Sequence, residues 1–322
     1  MDDGSRQRAK GGGLRRVPIR IAHAVGWLLT AASFVFLIRR FWLGKSGFDS
    51  ALGAQVLFPL AVAALIALIG GAATIYSWRS ILYFHGGPPL GFTQAFKLYA
   101  GTQIAKYIPG NIFQYAGRQV EGWKLGIAQG TMALTSVGEA GGLCCVSAAA
   151  ALAGLVWSGE AAVVPGCIGW VACLAAFPLS QSLLRRLSKW FPSLIPSPSG
   201  EALPRGWKVV LKAFLGQVLF VAASAVTLSL CASPFGSAPS GRLLTACSTA
   251  WLAGFVTPGA PAGLGIREAI LVMTLEGPLG RNEALAAAML FRVAWTIADV
   301  GLYIATLFVR RLPANIKTSP DG

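Results

Sequence analysis

The chain has 322 residues, of which 55% are apolar and only 12% are Asp, Glu, Lys or Arg, and its mean hydropathy is +0.62. Soluble domains carry about 25% charged residues, so this composition excludes an ordinary soluble domain and predicts apolar surface facing lipid. The net charge of +15 comes from short basic clusters between apolar runs. That distribution is typical of membrane loops rather than of a nucleic-acid-binding face, and it favours contact with anionic lipid headgroups.

The predicted elements begin with a basic, Gly-rich stretch, residues 1–20, which we expect to be a disordered cytoplasmic tail. Six apolar segments then approach or exceed the roughly 20 residues that a spanning helix needs. They lie near 21–42, 52–78, 131–157, 161–184, 209–232 and 284–309. The first is too long for a signal-peptide core, so we interpret it as an uncleaved span. Residues 21–309 are predicted to be a single transmembrane domain, and residues 310–322 a short cytoplasmic tail.

Two further apolar segments, 92–117 and 243–276, are interrupted near their middles by Pro109-Gly110 and Pro258-Gly259. Pro removes a backbone donor and Gly loosens the chain, so a continuous helix is not expected through either point. Each arm is also short for a full crossing. We predict two re-entrant hairpins, with kinked spanning helices as the alternative. The predicted fold class is therefore all-α, a polytopic membrane protein of about six transmembrane helices and two re-entrant hairpins.

The distribution of basic residues orients this topology. Of the 27 Lys and Arg residues, 18 fall in loops and tails assigned to the cytoplasm, five fall on the external side and four lie within segments. This bias predicts a multi-pass membrane protein with both termini in the cytoplasm. The cluster Arg39, Arg40 and Lys45 is the exception to the rule.

The two broken segments also share a spacing. Pro109 precedes Arg118 by nine positions, and Pro258 precedes Arg267 by the same nine. Three predicted spans separate the segments, and this odd number places the two hairpins on opposite faces of the membrane. The pattern predicts an inverted repeat with broken helices at its interface, a recurring design of transporters.

Charged residues at membrane depth are costly and are usually functional. Those predicted here are Lys106, Arg118 and Glu121 around the first hairpin, Arg267 and Glu268 after the second, and Glu139, Arg292 and Asp299 within spans. Arg suits a phosphate because its planar guanidinium donates two parallel hydrogen bonds. We predict that Lys106, Arg118, Arg267 and Glu268 contribute to a lipid-headgroup site, with fixed ion pairs between helices as the structural alternative.

Arg292 and Asp299 are seven residues apart and share one face of a helix. Glu139 lies among small residues that allow a neighbouring helix to approach closely. We predict an intramembrane ion-pair network of Glu139, Arg292 and Asp299, in which Glu139 could pair with Arg292, Arg267 or Arg118.

Polar residues Asn111, Gln114 and Tyr115 precede Arg118 in an otherwise apolar context. They predict a polar-lined cavity that contacts the headgroup. The alternative is that they only satisfy the backbone groups of the hairpin itself.

Sequence signatures of hydrolases, zinc proteases and nucleotide-binding loops are missing. The six cysteines lie in or beside apolar runs without the spacing of a zinc site, so neither a metal nor another cofactor is predicted. No catalytic residue is predicted either. The alternative is a membrane-embedded lipid transferase in which Glu121, Glu139 or Glu268 acts as a base.

The segments KYIPGNIFQYAGR and TPGAPAGLGIREA resemble the paired signatures of the lysylphosphatidylglycerol synthetase transmembrane-region family, a flippase-like domain. Matching positions are Tyr107, Pro109, Gly110, Asn111 and Arg118 in the first, and Pro258, Gly259, Gly263, Gly265, Arg267 and Glu268 in the second. The resemblance covers about 20–310 and implies a stand-alone member without the synthetase domain. The sequence departs from the second signature where Ala260-Pro261-Ala262 intervenes and adds a proline.

The resemblance implies that the protein moves a phosphate-bearing lipid between leaflets: a phospholipid, a glycolipid or a polyprenyl-linked lipid. The expected partners are the lipid substrate and the bilayer, with a homo-oligomer also possible and no nucleic acid. The alternative is a non-transporting membrane subunit that anchors a glycosyltransferase or a lipid-modifying enzyme.

Overall fold

The computed structural model describes residues 54–108, 112–188, 206–257 and 261–309, and within these ranges all regular structure is helical. The α-helices are α1 (Ala54–Phe84), α2 (Phe92–Gln103), α3 (Phe113–Lys124), α4 (Gln129–Trp157), α5 (Val163–Ser188), α6 (Trp207–Ala232), α7 (Ser240–Val256), α8 (Ile266–Leu279) and α9 (Arg281–Phe308). Two short 3₁₀ turns, Ile104–Tyr107 and Pro261–Gly263, lie in the broken segments. The predicted tails and the predicted first span 21–42 lie outside the described residues.

Five described helices are long and apolar enough to cross a membrane: α1, α4, α5, α6 and α9. They coincide with the five predicted spans that fall in the described ranges, so the prediction of an all-α polytopic membrane protein is confirmed. The largest difference in their bounds is at α1, which continues to Phe84 rather than ending near 78. The extra turns are retained because Ile81 and Leu82 are buried, and because Arg79 makes a hydrogen bond to the carbonyl of Leu90.

The two broken segments each form a pair of short helices. Helices α2 and α3 have 12 residues each, α7 has 17 and α8 has 14, so each is about 18 to 26 Å long. All four are shorter than the roughly 30 Å hydrocarbon core. Helix α2 contacts α3, and α7 contacts α8. These lengths and contacts favour hairpins over kinked spanning helices. The Pro-Gly pairs themselves, Pro109-Gly110 and Pro258-Gly259, lie outside the described residues.

Helices α1 and α6 form the most extensive contact in the described part of the fold. Small residues allow their backbones to approach closely. A Cβ added at Gly70 would lie 2.9 Å from the Cβ of Ala223, and one added at Gly216 would lie 2.7 Å from the carbonyl oxygen of Ala73. Close approach through small residues is a common way of packing helices in membranes, where no hydrophobic effect drives association. This pair forms the central support of both hairpins.

Several of the remaining contacts occur in matching pairs when α1–α4, here called the first half, is compared with α6–α9, the second half; the contacts of α5 have no counterpart. Helix α1 contacts α2 as α6 contacts α7, and α3 contacts α4 as α8 contacts α9. Across the halves, α4 contacts α7 as α9 contacts α2, and the two 3₁₀ turns contact each other. One long helix of each half, α4 or α9, therefore packs against the hairpin of the other half. This crossed packing brings both hairpins to a common point within the fold.

Candidate functional site

A polar cavity of about 110 Å³ lies where the two hairpins meet. It is lined from both hairpins and from α1, α4, α6 and α9. Its polar and charged lining residues are Thr74, Tyr99, Gln103, Lys106, Tyr107, Gln114, Tyr115, Arg118, Glu139, Ser224, Arg267, Arg292 and Asp299. A water molecule occupies about 30 Å³ in the liquid, so this space holds only a few waters. The cavity is thus a small, charged site inside an otherwise apolar bundle.

The first hairpin contributes Arg118, from the middle of α3, which forms an ion pair with Glu139 of α4. Both side chains are buried, with 1% and 4% of their surface exposed. Arg118 also donates to Gln103 at 2.5 Å, and its guanidinium lies 3.7 Å from the ring centroid of Tyr99. The hydroxyl of Tyr99 donates to the second carboxylate oxygen of Glu139. Arg118 and Glu139 are therefore compensated by each other and by α2.

The backbone around Glu139 is held by a second layer of polar side chains. Gln181 of α5 donates to the carbonyl of Gly138 at 2.7 Å and contacts the ring of His85 at 3.1 Å. Gln217 of α6 donates to the carbonyl of Glu139 at 3.2 Å. A Cβ at Gly138 would lie 2.6 Å from the amide oxygen of Gln181, so this amide would have to shift if the glycine were replaced. These contacts fix the position of the Glu139 carboxylate relative to the cavity.

Asp299 of α9 holds the turn of the first hairpin. The ammonium of Lys106 lies 2.6 Å from the carboxylate of Asp299, and the hydroxyl of Tyr107 donates to the same oxygen at 2.7 Å. The Tyr107 hydroxyl also lies 3.4 Å from that of Thr296, one turn earlier on α9. This contact joins the first hairpin to a helix of the other half, so it crosses between the halves.

Arg292 of α9 holds the turn of the second hairpin. It forms an ion pair with Glu268 of α8 and donates to the carbonyl of Ala262 at 3.1 Å. Ala262 has a φ of 47°, in the left-handed region that costs a non-glycine residue roughly 1–2 kcal/mol. Glu268 also accepts a hydrogen bond from the amide of Gly265 at 2.6 Å, which caps the start of α8. Helix α9 thus ties down one hairpin turn through Asp299 and the other through Arg292.

Arg267 differs from the other three basic residues of the cavity. Within the described part of the chain it forms no ion pair, whereas each of the other three does. Its Nε atom has no hydrogen-bond partner there, as is also true of one guanidinium nitrogen each of Arg118 and Arg292. Its side chain passes directly over two glycines: a Cβ at Gly254 would lie 2.5 Å from its Cγ, and one at Gly263 2.7 Å from its Nε. The two glycines therefore make room for the Arg267 guanidinium, which has no ion-pair partner among the described residues.

The predicted network of Glu139, Arg292 and Asp299 is not present as one network. Each of the three pairs with a residue of a hairpin instead, namely Arg118, Glu268 and Lys106 respectively. The shared face of Arg292 and Asp299 is real, but the two side chains point to different hairpin turns. The pairing that the sequence left open for Glu139 is resolved in favour of Arg118.

The remaining predicted site residues have mixed placements. Gln114 is buried on the cavity wall, and the ring centroid of Tyr115 lies 5.4 Å from the Arg118 guanidinium. Glu268 pairs with Arg292 and does not line the cavity. Glu121 is away from the cavity, half exposed and paired with Lys124 at 2.7 Å. Asn111 lies outside the described residues.

Five polar residues of the cavity were not predicted as contacts: Thr74, Tyr99, Gln103, Tyr107 and Ser224. Tyr99, Gln103 and Tyr107 recur every four residues along an apolar segment, which places them on one helical face and could have identified them. The buried Gln181 and Gln217 had no comparable signal, since each is a lone amide in a spanning helix. Among the described residues, no group of three or more His, Cys, Asp or Glu could hold a metal ion.

No protein-family model matches the chain, and no curated protein matches its sequence.

Proposed function

We propose that the protein is a lipid transporter that moves a phosphate-bearing lipid between leaflets by way of the polar cavity. The observation that carries the proposal is the charge balance of the cavity region. Four basic residues, Lys106, Arg118, Arg267 and Arg292, converge there with three acidic ones, and each acidic residue is already paired. The surplus positive charge is on Arg267, and an anionic group of the cargo would neutralise it.

The cost of an unpaired cation supports a ligand at this point. On biological insertion scales an Arg at membrane depth costs up to roughly 2.5–3.5 kcal/mol, the value at the centre of a spanning helix. Such a residue is retained where it faces water or a ligand. A phosphate is the best match, because the guanidinium donates two parallel hydrogen bonds to two phosphate oxygens. Arg267 also lies in the first turn of α8, where the helix dipole adds partial positive charge.

The size of the cavity implies a second conformation. Ligand pockets commonly measure about 300–1,000 Å³, and the cavity holds about 110 Å³. We propose that the described state is occluded and that a lipid headgroup is admitted when one hairpin moves away from the other. Two sets of contacts would then act as gates that open in alternation. One joins Lys106 and Tyr107 to Asp299, and the other joins Arg292 to Ala262.

The crossed packing supports an inverted repeat. Under the exchange of α1, α2, α3 and α4 for α6, α7, α8 and α9, each contact between helices described above has a counterpart. The three candidate spans α4, α5 and α6 lie between the hairpins, so the hairpins would open to opposite sides. We further propose that the chain is a relative of the lysylphosphatidylglycerol synthetase transmembrane-region family. It would reside in the inner membrane of a bacterium with both termini in the cytoplasm.

A reconstitution assay tests the proposed function. Purified protein in liposomes is given fluorescent phosphatidylglycerol, phosphatidylcholine or a polyprenyl phosphate, and the probe left accessible to an external quencher is measured over time. We expect the wild-type protein to equilibrate at least one phosphate-bearing lipid between leaflets. Arg267→Ala should lower the rate by roughly 10- to 150-fold, the equivalent of one charged hydrogen-bonding group worth about 1.5–3 kcal/mol.

Arg281→Ala is the matched control, because Arg281 is an exposed arginine at the start of α9 outside the cavity. Full transport by Arg267→Ala would remove Arg267 from the mechanism. If the wild-type protein moves none of the three lipids, the transporter proposal fails. Co-purification of a stoichiometric soluble enzyme would then favour the anchoring subunit.

A further inference from the structure

A second cavity, of about 620 Å³, lies on the outside of the bundle between α5 and α6. It shares no lining residue with the central cavity. We name it the lateral groove; it is lined by Phe84, Leu174, Phe177, Pro178, Ser182, Arg186, Trp207, Val210, Leu211 and Phe214. We propose that it binds one acyl chain of an anionic phospholipid, with the phosphate of that lipid at Arg186.

The groove exists because α5 is held mainly by α4 and makes only limited contact with α6. Only 11% of the most apolar window of α5 is buried, against 33% in α6. Gln181 fixes α5 to the backbone of α4, and Phe177 packs where a Cβ at Gly142 would stand. The inner side of α5 is therefore anchored, while its side toward α6 leaves an open space.

The lining residues change in polarity along the groove in the order that a lipid requires. On α5 the row Leu174, Pro178, Ser182 and Arg186 advances by four residues at each step, so all four lie on one face. It begins apolar and ends with a hydroxyl and a guanidinium. On α6 the end of the groove near the helix start carries Trp207, an aromatic residue typical of the membrane interface, and the deeper end is apolar.

The length of the groove also fits one leaflet. Leu174 and Arg186 are 12 residues apart, which is about 18 Å along a helix. Half of the hydrocarbon core is about 15 Å. An acyl chain that follows the row from Leu174 would therefore bring its headgroup to the level of Arg186.

The charge at the mouth selects an anionic headgroup. Arg186 is exposed and forms no ion pair within the described residues. One exposed guanidinium at the polar end of an apolar channel favours an anionic phospholipid over a zwitterionic one, since a basic side chain adds about 1 kcal/mol near an anionic surface.

This inference does not depend on transport, because it concerns a surface separate from the central cavity. Its test uses a phosphatidylglycerol probe with a diazirine on one acyl chain, incorporated with the purified protein into nanodiscs. After irradiation, labelled peptides are mapped by mass spectrometry. We expect adducts on 174–186 and 207–214, and at least several-fold less labelling by the phosphatidylcholine analogue of the probe.

Two variants separate groove binding from general lipid contact. Leu211→Trp places a bulky ring on the groove wall and should reduce labelling of these peptides roughly ten-fold. Leu219→Trp makes the same change at an exposed position of α6 outside the groove and should leave labelling unchanged. Arg186→Ala should abolish the preference for phosphatidylglycerol.

Equal labelling in Leu211→Trp and wild type would overturn the proposal, as would equal labelling by the two headgroups. A groove filled by another part of this chain, from 21–42 or 189–205, would give no lipid adducts. Chemical cross-links from Leu211→Cys to that segment would then identify the occupant and also overturn the proposal. Circular dichroism of each variant confirms that it is folded before labelling is compared.

Discussion

The buried pair of Arg118 and Glu139 gives the sharpest prediction about stability. Glu139→Gln keeps the shape of the side chain and removes its charge. Arg118 is 1% exposed, so its guanidinium would keep only neutral partners: the substituted amide, Gln103 and the rings of Tyr99 and Tyr115. Removing one partner of a buried ion pair typically costs 3–5 kcal/mol, because it leaves an uncompensated charge. We expect Glu139→Gln to lower the free energy of unfolding by about that amount.

The double variant Arg118→Met/Glu139→Gln removes the stranded charge as well. Replacing a whole buried pair by groups of similar volume is often neutral, so we expect it to recover at least about 2 kcal/mol of the loss. The assay is unfolding by sodium dodecyl sulfate in mixed micelles, followed by circular dichroism. Glu121→Gln is the control, since Glu121 and Lys124 form an exposed pair and should contribute less than about 1 kcal/mol.

A loss below about 1 kcal/mol in Glu139→Gln would show that Arg118 does not depend on the carboxylate for compensation. A double variant less stable than the single one would show that the cost does not come from an unpaired charge.

Three further predictions rest on local geometry. Gly142→Ala should lower the free energy of unfolding by about 1–3 kcal/mol in the same assay, because the added Cβ would lie 2.5 Å from the ring of Phe177 on α5. Gly141→Ala is the control: a Cβ there meets nothing within 4 Å, so the change should be neutral or slightly stabilising. Ala262→Gly should raise the free energy of unfolding by up to about 1 kcal/mol by relieving its left-handed φ; a loss would show that this conformation carries no strain. Tyr107→Phe removes one hydrogen bond to Asp299 and should lower the free energy of unfolding by about 1 kcal/mol. An unchanged free energy would show that water replaces the hydroxyl.

Much of the architecture is determined by features that can be seen in the sequence. The described spans are long uninterrupted apolar segments, and at this length a lipid environment leaves helix as the only way to satisfy the backbone. The two broken segments were found because Pro and Gly have local effects that do not depend on the rest of the fold. Charged residues such as Arg118 and Asp299 stood out because few others interrupt the apolar background.

The partners of those charges could not be predicted, because they depend on how the hairpins cross. Lys106 and Asp299 are 193 positions apart in the sequence and meet only because α9 packs against the first hairpin. The three predicted network residues lie in spans, and each found its partner in a hairpin. That Arg267 has no ion pair is also a property of the tertiary structure, because it depends on which partners the other charged residues meet.

The position of a bound phosphate tests the central proposal most directly. A cryo-electron microscopy structure of the protein in nanodiscs of phosphatidylglycerol should show lipid phosphate in the central cavity, within about 3 Å of the Arg267 guanidinium. Arg118, Lys106 and Arg292 should keep at least two of their three carboxylate partners in the same state. A cavity that holds only water, with Arg267 paired to a carboxylate of the chain, would contradict the proposal.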